Sequence, residues 1–487
     1  MVEEKEKNIL VPEGLNEGQK KAFITLSQYL ENASDRSVYV LKGWAGTGKT
    51  YVISKLIGKI INKSDNKKRG IFKSSPEIAV TGPTNKSVRV IRQSTGIVNP
   101  YVSYMTIHKL LGLKEQITED GKQLFTTDSY HDSNIESIDI LFIDEVSMLN
   151  DELFEEVIKH RSRMKIICMG DPCQIPPVGR PDCIPFLDDL HERYDIKTIE
   201  LSEVMRQKGD NPIIESSIII RNNISSGFLP LAPVSVHNER GEGIEYLNLG
   251  NSEGREKFSN LLESMLNSDR FKEDPDLVKI IAWRNKTVDT MNKIARKKIY
   301  GQDSERSKIL VGERMIANSP VFIKDMIVLN TNEEFEIEGF DICNDRFKMQ
   351  IADEPAPYIP VNLQYYKCKI KYTSNNGETI RSKIHILHEE SELEYQKILN
   401  LLKIRAINKK GKDKTWVKYY NFTRKYADVS WGYSISAHKS QGSTYKNVFV
   451  LEDDIDKNWD VVERNRIKYT AFTRASSNLF VLKIFDI

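Results

Sequence analysis

Cysteine is scarce in this chain. Five occur in 487 residues, Cys168, Cys173, Cys183, Cys343 and Cys368. The count is odd and no two stand as CxxC, which excludes a disulfide framework or a zinc site of the usual spacing and suits a reducing compartment. Long apolar runs are missing too: none approaches the ~18 residues of a membrane-spanning helix. The opening MVEEKEKNIL lacks the basic and apolar regions of a secretory signal. Nor is there an excess of one charge, since 71 Lys+Arg against 69 Asp+Glu leave a formal +2. That balance excludes binding of nucleic acid by bulk charge, as in histone-like proteins, but leaves room for a local basic groove. No internal repeat or low-complexity tract is present. What remains, 39% hydrophobic and 9% aromatic residues, suffices for sizeable cores. The expectation is a soluble intracellular protein of about three domains.

Short β-rich runs alternate with amphipathic segments over the first third. Val38–Leu41, IAVTGP (78–83), IDILFIDE (138–145) and MKIICMGD (164–171) read as buried strands, and YVISKLIGKII after Lys49 reads as a helix. That alternation predicts a parallel sheet wound with helices. The same grammar returns at 278–285, with a helical pattern over 287–300, and again at 447–453 and 479–485. Between them, residues 310–385 carry alternating short runs with polar breaks, the pattern of a small antiparallel β domain. A helical, basic stretch follows from Glu389 to about Tyr426. The polar segment from Gly112 to Ser137 reads as a hairpin projecting from the first unit.

Chemistry enters with Gly43-Trp44-Ala45-Gly46-Thr47-Gly48-Lys49-Thr50, a complete GxxxxGK[ST] loop between a predicted strand and a predicted helix. Its glycines let backbone N–H groups close around phosphates, and the helix N-terminus favours the anion. Lys49 is placed to reach the β/γ-phosphates and Thr50 to ligate Mg²⁺. Leu141-Phe142-Ile143-Asp144-Glu145 then supplies two acids at a strand end. Asp144 would hold Mg²⁺ through its water shell, and Glu145 would polarise the attacking water.

More motifs stand in one order around these. They are Leu15–Gln19, Gly82-Pro83-Thr84, Thr106-Ile107-His108, Asp144–Met148, Gly170–Val178, Val204-Met205-Arg206-Gln207, Ser436–Gly442 and Tyr469–Ala475. The series resembles the motif set of superfamily 1 helicases, in the RecD/Dda branch (superfamily 1B) that moves 5′→3′ on DNA. The likeness runs from about Leu15 to Val481. It implies an α/β fold of two RecA-like P-loop NTPase lobes, with a small β-hairpin pin and an inserted SH3-like β domain plus helical protrusion. The expected boundaries are 1–185 for the first lobe, with the pin at about 112–130, then 186–305 and 428–487 for the second lobe, and 306–427 for the insertion.

The resemblance also implies roles. Gln19 would read the adenine edge; Gly43, Ala45, Gly46, Thr47, Gly48, Lys49, Thr50, Gln441 and Gly442 would hold the nucleotide. Gln174 would sense the γ-phosphate. Arg206 and Arg474 would clamp it, the latter from the second lobe. Pro83, Thr84, Asn85, His108, His438, Lys439 and Ser443 match positions beside single-stranded DNA. Asn85 stands where the branch usually has a histidine. Alone, His108 reads as a packed histidine, and its motif moves it to the DNA face. Phe125 aligns with the aromatic of the pin, where stacking a base is worth ~1–3 kcal/mol; its alternative is an apolar anchor of the hairpin. Lys409–Lys414 with Trp416, Tyr419, Tyr420 and Phe422 has two readings, a nucleic-acid contact and, preferred, a solvated basic turn with aromatics packed into a helical protrusion.

The expected function is an ATP-dependent DNA helicase using ATP and Mg²⁺ on single-stranded DNA and duplex junctions. The expectation includes a monomer with replication or recombination proteins as partners and no membrane. It would sit in the cytoplasm, at the nucleoid, or in the host cytoplasm if viral. Two alternatives share the motor residues: a translocase or RNA helicase remodelling nucleoprotein, and a clamp that binds without turnover.

Overall fold

The computed structural model describes residues 10–65, 75–117, 123–127, 134–177, 179–180, 182–203, 211–323, 326–349, 358–374, 377–409 and 415–485. They divide into two compact units. One holds Met1–Leu111, Ser133–Val288 and Ile435–Ile487; the other holds Gly112–Asp132 and Asp289–Ser434.

The first unit contains two sheets. In the first, β1 (Val38–Gly43), β2 (Ile78–Gly82), β3 (Val102–Thr106), β6 (Ile140–Ile143), β7 (Lys165–Gly170) and β8 (Ile196–Leu201) lie in the order β3-β2-β6-β7-β1-β8. Every pairing is parallel. The inner strands β1, β2, β6 and β7 are nearly continuous apolar runs because helices cover both faces. Helix α1 (Glu17–Glu31) and helix α2 (Lys49–Asp65) bury Ala22, Phe23, Leu26, Val52, Ile53 and Leu56 against Leu41, Val80 and Phe142. Each such side chain contributes roughly 1.5–3 kcal/mol. Asn16 caps α1 in a reciprocal capping box with Gln19, and Thr84 does the same for α3 (Asn85–Thr95) with Ser87, fixing both helix starts. A short helix, α4 (Ile107–Leu110), follows β3, and α5 (Asp151–Ile158) precedes β7.

The second sheet runs β19-β11-β20-β21-β10-β9. Its strands are β9 (Val236–His237), β10 (Gly243–Asn248), β11 (Val278–Ala282), β19 (Ser434–Ser436), β20 (Tyr445–Leu451) and β21 (Ala475–Lys483). Phe449 and Phe480 stack across neighbouring parallel strands at 4.6 Å. Around this sheet lie α6 (Pro212–Asn222), α7 (Ser252–Leu266), the start of α8 (Asn285–Tyr300), α11 (Ala437–Ser440), α12 (Glu452–Ile455) and α13 (Val461–Phe472). Asp454 anchors the start of α8, accepting from the Trp283 and Arg284 amides, the Arg284 side chain and the Thr287 hydroxyl. These hydrogen bonds hold its carboxyl below the usual range against the cost of burial.

In the second unit, β12 (Arg314–Ala317), β15 (Glu334–Met349), β16 (Ile359–Thr373), β17 (Thr379–Leu387) and β18 (Val429–Trp431) form a five-stranded antiparallel sheet. A second, two-stranded pair joins β13 (Val321–Ile323) to β14 (Met326–Leu329). Helices α9 (Glu392–Lys409) and α10 (Thr415–Thr423) pack their Ile398, Leu402 and Phe422 with Leu363 and Tyr426. The hairpin of β4 (Leu113–Ile117) and β5 (Gln123–Thr127) belongs to this unit, with β4 beside α10.

Three expected boundaries shift. The first lobe does not stop at residue 185, because β8 pairs with β1 and completes its sheet. The insertion is wider than 306–427. The second half of α8 clusters with it because Asn292 bonds Ser434 and Arg296 pairs with Glu313 while lying against Trp431. The hairpin, expected as part of the first lobe, also clusters with the insertion. Residues 410–414 of the basic turn lie outside the described residues. Trp416, Tyr419 and Tyr420 form a ring cluster with centroids 5.1–5.9 Å apart, and Phe422 is buried.

Candidate nucleotide site and nucleic-acid face

The phosphate loop leaves the end of β1 and turns into α2, as strand, glycine-rich turn and helix N-terminus in succession. Gly46 and Gly48 take positive φ, 82° and 80°. At Gly48 a side chain would also run into the Gln19 amide, so only glycine serves. Lys49 turns back on the loop: its Nζ donates to the Gly43 carbonyl at 2.5 Å and the Trp44 carbonyl at 3.0 Å. The Thr47 hydroxyl closes the turn on the Trp44 carbonyl at 2.9 Å.

Opposite the loop, β6 delivers Asp144 and Glu145. Glu145 adopts φ 51°, ψ 43°, a left-handed conformation costing a non-glycine residue about 1–3 kcal/mol and most often found where function requires it. Asp144 Oδ1 accepts from the Glu145 amide at 2.9 Å. Gln174, in the loop after β7, is almost fully buried, and its Oε1 has no hydrogen-bond partner. Such a buried orphan acceptor points to a missing donor in the cleft.

Residues from both sheets of this unit line one cleft of about 420 Å³. Gln19, Ala45, Gly46, Gly48, Lys49, Thr50, Asp144, Glu145 and Gln174 come from the first, and Gly442, Ser443 and Arg474 from the second. Gly442 sits at φ 69°, and a Cβ there would come within 3.2 Å of the Ser87 Cβ, so the approach of the two lobes requires a glycine. Arg474 is buried, yet it reaches the cleft. Its guanidinium donates to the Thr470 carbonyl, the Ser443 carbonyl and the Thr473 hydroxyl, at 3.0, 3.1 and 3.1 Å. These bonds fix its direction and leave donors for a phosphate.

Lys49, Thr50, Asp144, Glu145 and Arg474 line one cleft; two cations, a hydroxyl and two carboxylates fit a phosphate chain with its divalent cation, and the orphaned Gln174 acceptor fits a site that receives a further donor. Among the described residues no cluster of three His, Cys, Asp or Glu side chains is gathered for a metal. Mg²⁺ needs none, since it takes one or two protein ligands plus phosphates and waters.

Several expected residues stand elsewhere. Ser443, expected beside DNA, lines the nucleotide cleft instead, and its buried hydroxyl has no partner. Gln441, expected to hold nucleotide, does not line the cleft: it is buried, and its amide donates to the Ile175 carbonyl at 2.8 Å. Gly43 and Thr47 serve through the loop's internal bonds. Gln19 lines the cleft with both amide atoms engaged, Nε2 to the Thr47 carbonyl and Oε1 to the Asn16 amide. Arg206 lies outside the described residues.

Pro83, Thr84 and Asn85 follow β2, and His108 follows β3, just past the paired residues Gly82 and Thr106. This is the carboxyl edge where ligands of doubly wound sheets gather. His438 and Lys439 sit on α11 after β19. Burial pushes both histidines below their usual pKa. Phe125 stands in β5 opposite Glu115.

Residues that carried no sequence signal also line the cleft: Tyr51, Ser87, Val90, Ser94 and Thr444. Lys86 joins the lobes, donating to Asp276 at 3.1 Å and to the Tyr445 hydroxyl at 3.2 Å. Asp171 and Tyr469 stand inside recognised motifs, but a hydrogen bond between them is not visible in either motif. No described helix is long and apolar enough to cross a membrane.

Comparison with known proteins agrees with this geometry. A family described as an AAA domain matches residues 14–229, and one described as a UvrD-like helicase C-terminal domain matches residues 432–482. An uncharacterised protein of Acanthamoeba polyphaga mimivirus is 28% identical over 94% of this chain and 98% of its own. The ATP-dependent DNA helicase dda of Enterobacteria phage T4 is 24% identical over 96% and 98%. The RecBCD enzyme subunit RecD of Buchnera aphidicola subsp. Schizaphis graminum is 25% identical over 93% and 71%. A solved Pif1 helicase from Candida albicans aligns over 97% of this chain and 95% of its own, at a TM-score of 0.45 and 16% identity. The motif order runs from Leu15 to Val481 and the likeness to Dda spans nearly the full length of both chains, so the chain is similar over its whole length to superfamily 1B helicases of the Dda and RecD branch.

Proposed function

We propose that this chain is an ATP-driven motor that moves 5′→3′ on single-stranded DNA and separates duplex strands at the β4–β5 hairpin. The observation that carries this reading is the shared cleft, in which the phosphate loop, Glu145 and Gln174 of one lobe face Gly442, Ser443 and Arg474 of the other. A cleft built from two lobes converts nucleotide turnover into lobe motion, which a single-lobe site does not.

Lys49 exchanges the Gly43 and Trp44 carbonyls for the β/γ-phosphate oxygens. Glu145 orients the water that attacks the γ-phosphorus and draws off its proton as the bond to the leaving ADP oxygen breaks. Arg474 adds positive charge where the transferred group gains negative charge, and the unpartnered Gln174 Oε1 accepts from an O–H of the attacking water. Thr50, and Asp144 through water, would hold Mg²⁺, which would supply charge neutralisation at the phosphates. Once phosphate leaves, Arg474 has no anion to hold, and the lobes part.

The test is steady-state ATP hydrolysis with and without single-stranded DNA, with matched RNA as comparator and Lys49→Ala as the inactive control. Strong stimulation by DNA alone is the expected result. Equal stimulation by RNA would move the substrate assignment to a general nucleic-acid translocase. No stimulation by either would overturn the motor reading.

A further inference from the structure

Two consecutive residues of the phosphate loop are held from the second lobe by groups that bind no nucleotide. The Trp44 ring lies under the Arg221 guanidinium, with Cζ 3.5 Å from the ring centre. The Ala45 amide donates to Asp171 Oδ2 at 3.0 Å and meets the Tyr469 hydroxyl at 3.3 Å. That hydroxyl donates to the same carboxylate oxygen at 2.7 Å, while Oδ1 accepts from the Cys173 amide at 2.9 Å. Asp171 is completely buried and Tyr469 is 1% exposed. A buried carboxylate requires its donors, and one of these belongs to the other lobe.

Both contacts lead to one body. Arg221 is in the last turn of α6 and Tyr469 in α13. Asn465 of α13 donates to the carbonyls of Asn223, Ile224 and Ser226, which follow α6, at 3.2, 2.9 and 3.0 Å. Arg474, the phosphate-facing arginine, stands five residues after Tyr469, just past the C-cap Thr473 of the same helix. The rigid piece that aims Arg474 into the cleft therefore also grips the tip of the loop opposite.

We infer that Tyr469, acting through Asp171, and Arg221, acting through Trp44, are positioning residues that set the register between the phosphate loop and Arg474. The inference rests on the proposed ATPase reading and goes beyond it by assigning the register to four side chains outside the phosphate contacts. Without the Tyr469 hydroxyl, the loop still binds nucleotide, but Arg474 is no longer held at a fixed distance from it. A misplacement of about 1 Å at a reacting group can cost roughly 100-fold in rate. The loss therefore falls on turnover, with little effect on affinity.

Tyr469→Phe removes one hydroxyl and keeps the ring. Its DNA-stimulated kcat should fall by about tenfold or more, with KM for ATP moving less than about twofold. Trp44 provides a second readout that needs no hydrolysis. Adding ADP or a non-hydrolysable ATP analogue should change the tryptophan emission of the wild type but not of Trp44→Phe, and the amplitude should shrink in Tyr469→Phe and in Arg221→Lys. Wild-type kcat in Tyr469→Phe would overturn the inference, as would an undiminished Trp44 signal in Arg221→Lys, which serves if the tyrosine variant does not fold. A wild type that binds nucleotide with the Trp44 signal but never turns over would defeat the ATPase reading alone.

Discussion

At the scale of single residues, His108 and His438 behave as half-buried neutral groups. Burial lowers both pKa values, and for His438 the Glu463 carboxylate opposes the shift. Near pH 7 each imidazole is therefore neutral and offers an N–H donor, not a cation. The linkage sign follows: the folded pKa is below the unfolded value of about 6.5, so the unfolded chain takes up the proton first as pH falls. The stability these sites contribute is complete above that value and is lost as pH drops through it toward the folded pKa. Thermal melting at pH 7.5, 6.5 and 5.5 should show a larger acid loss for the wild type than for the His108→Gln/His438→Gln double variant; parallel curves would contradict it. Single residues are also where the sequence spoke most clearly. The phosphate loop and the Asp144-Glu145 pair are contiguous, and contiguous spacing survives in one dimension. The bond from Tyr469 to Asp171 joins residues 298 apart in sequence, so neither motif by itself shows it. Ser443 and Gln441 illustrate the same limit, because one residue's displacement along a turn decides which faces the cleft.

Among the elements, the strands and helices of both α/β sheets were legible because buried parallel strands are apolar runs bounded by polar turns. Edges were harder to read. Strand β8 reads IKTIEL, with Lys197, Thr198 and Glu200 exposed, as suits the outer strand of a sheet; its polar pattern hid its membership of the first lobe. Helix α8 shows how a single buried pair moves a boundary. Arg296 and Glu313 are 3% and 0% exposed. The arginine also donates to the Ser304 and Ser307 carbonyls, and the glutamate accepts from the Leu310 amide. Burial works to raise the Glu313 pKa while Arg296 pulls it down. Removing one partner strands a buried charge. Arg296→Met should therefore destabilise the protein by about 3–5 kcal/mol, and the double variant Arg296→Met/Glu313→Leu should recover most of it. Urea denaturation checks both, and a single variant within ~1 kcal/mol of wild type would show the pair to be expendable.

For the whole molecule, net charge says nothing about the track. With a formal +2 over 487 residues, the proposed grip on a strand rests on local groups, and the strand ends that carry Pro83–Asn85, His108 and His438–Lys439 are its candidates. What separates a helicase from a bare translocase is a wedge, and the β4–β5 hairpin is the candidate. It is antiparallel, with Phe125 opposite Glu115, and its unit also contains α10 and the five-stranded sheet. An aromatic that stacks the last paired base holds the opened junction without contacting ATP. Phe125→Ala should thus reduce unwinding of a 5′-tailed duplex by about tenfold, the size of a lost stack of ~1–3 kcal/mol. DNA-stimulated ATP hydrolysis should change less than about twofold. A 3′-tailed duplex should remain closed to the wild type, since movement 5′→3′ carries the motor away from that junction. Equal losses of unwinding and hydrolysis would make Phe125 a structural anchor of the hairpin, and opening of the 3′-tailed substrate alone would reverse the direction of travel while leaving the nucleotide site as described.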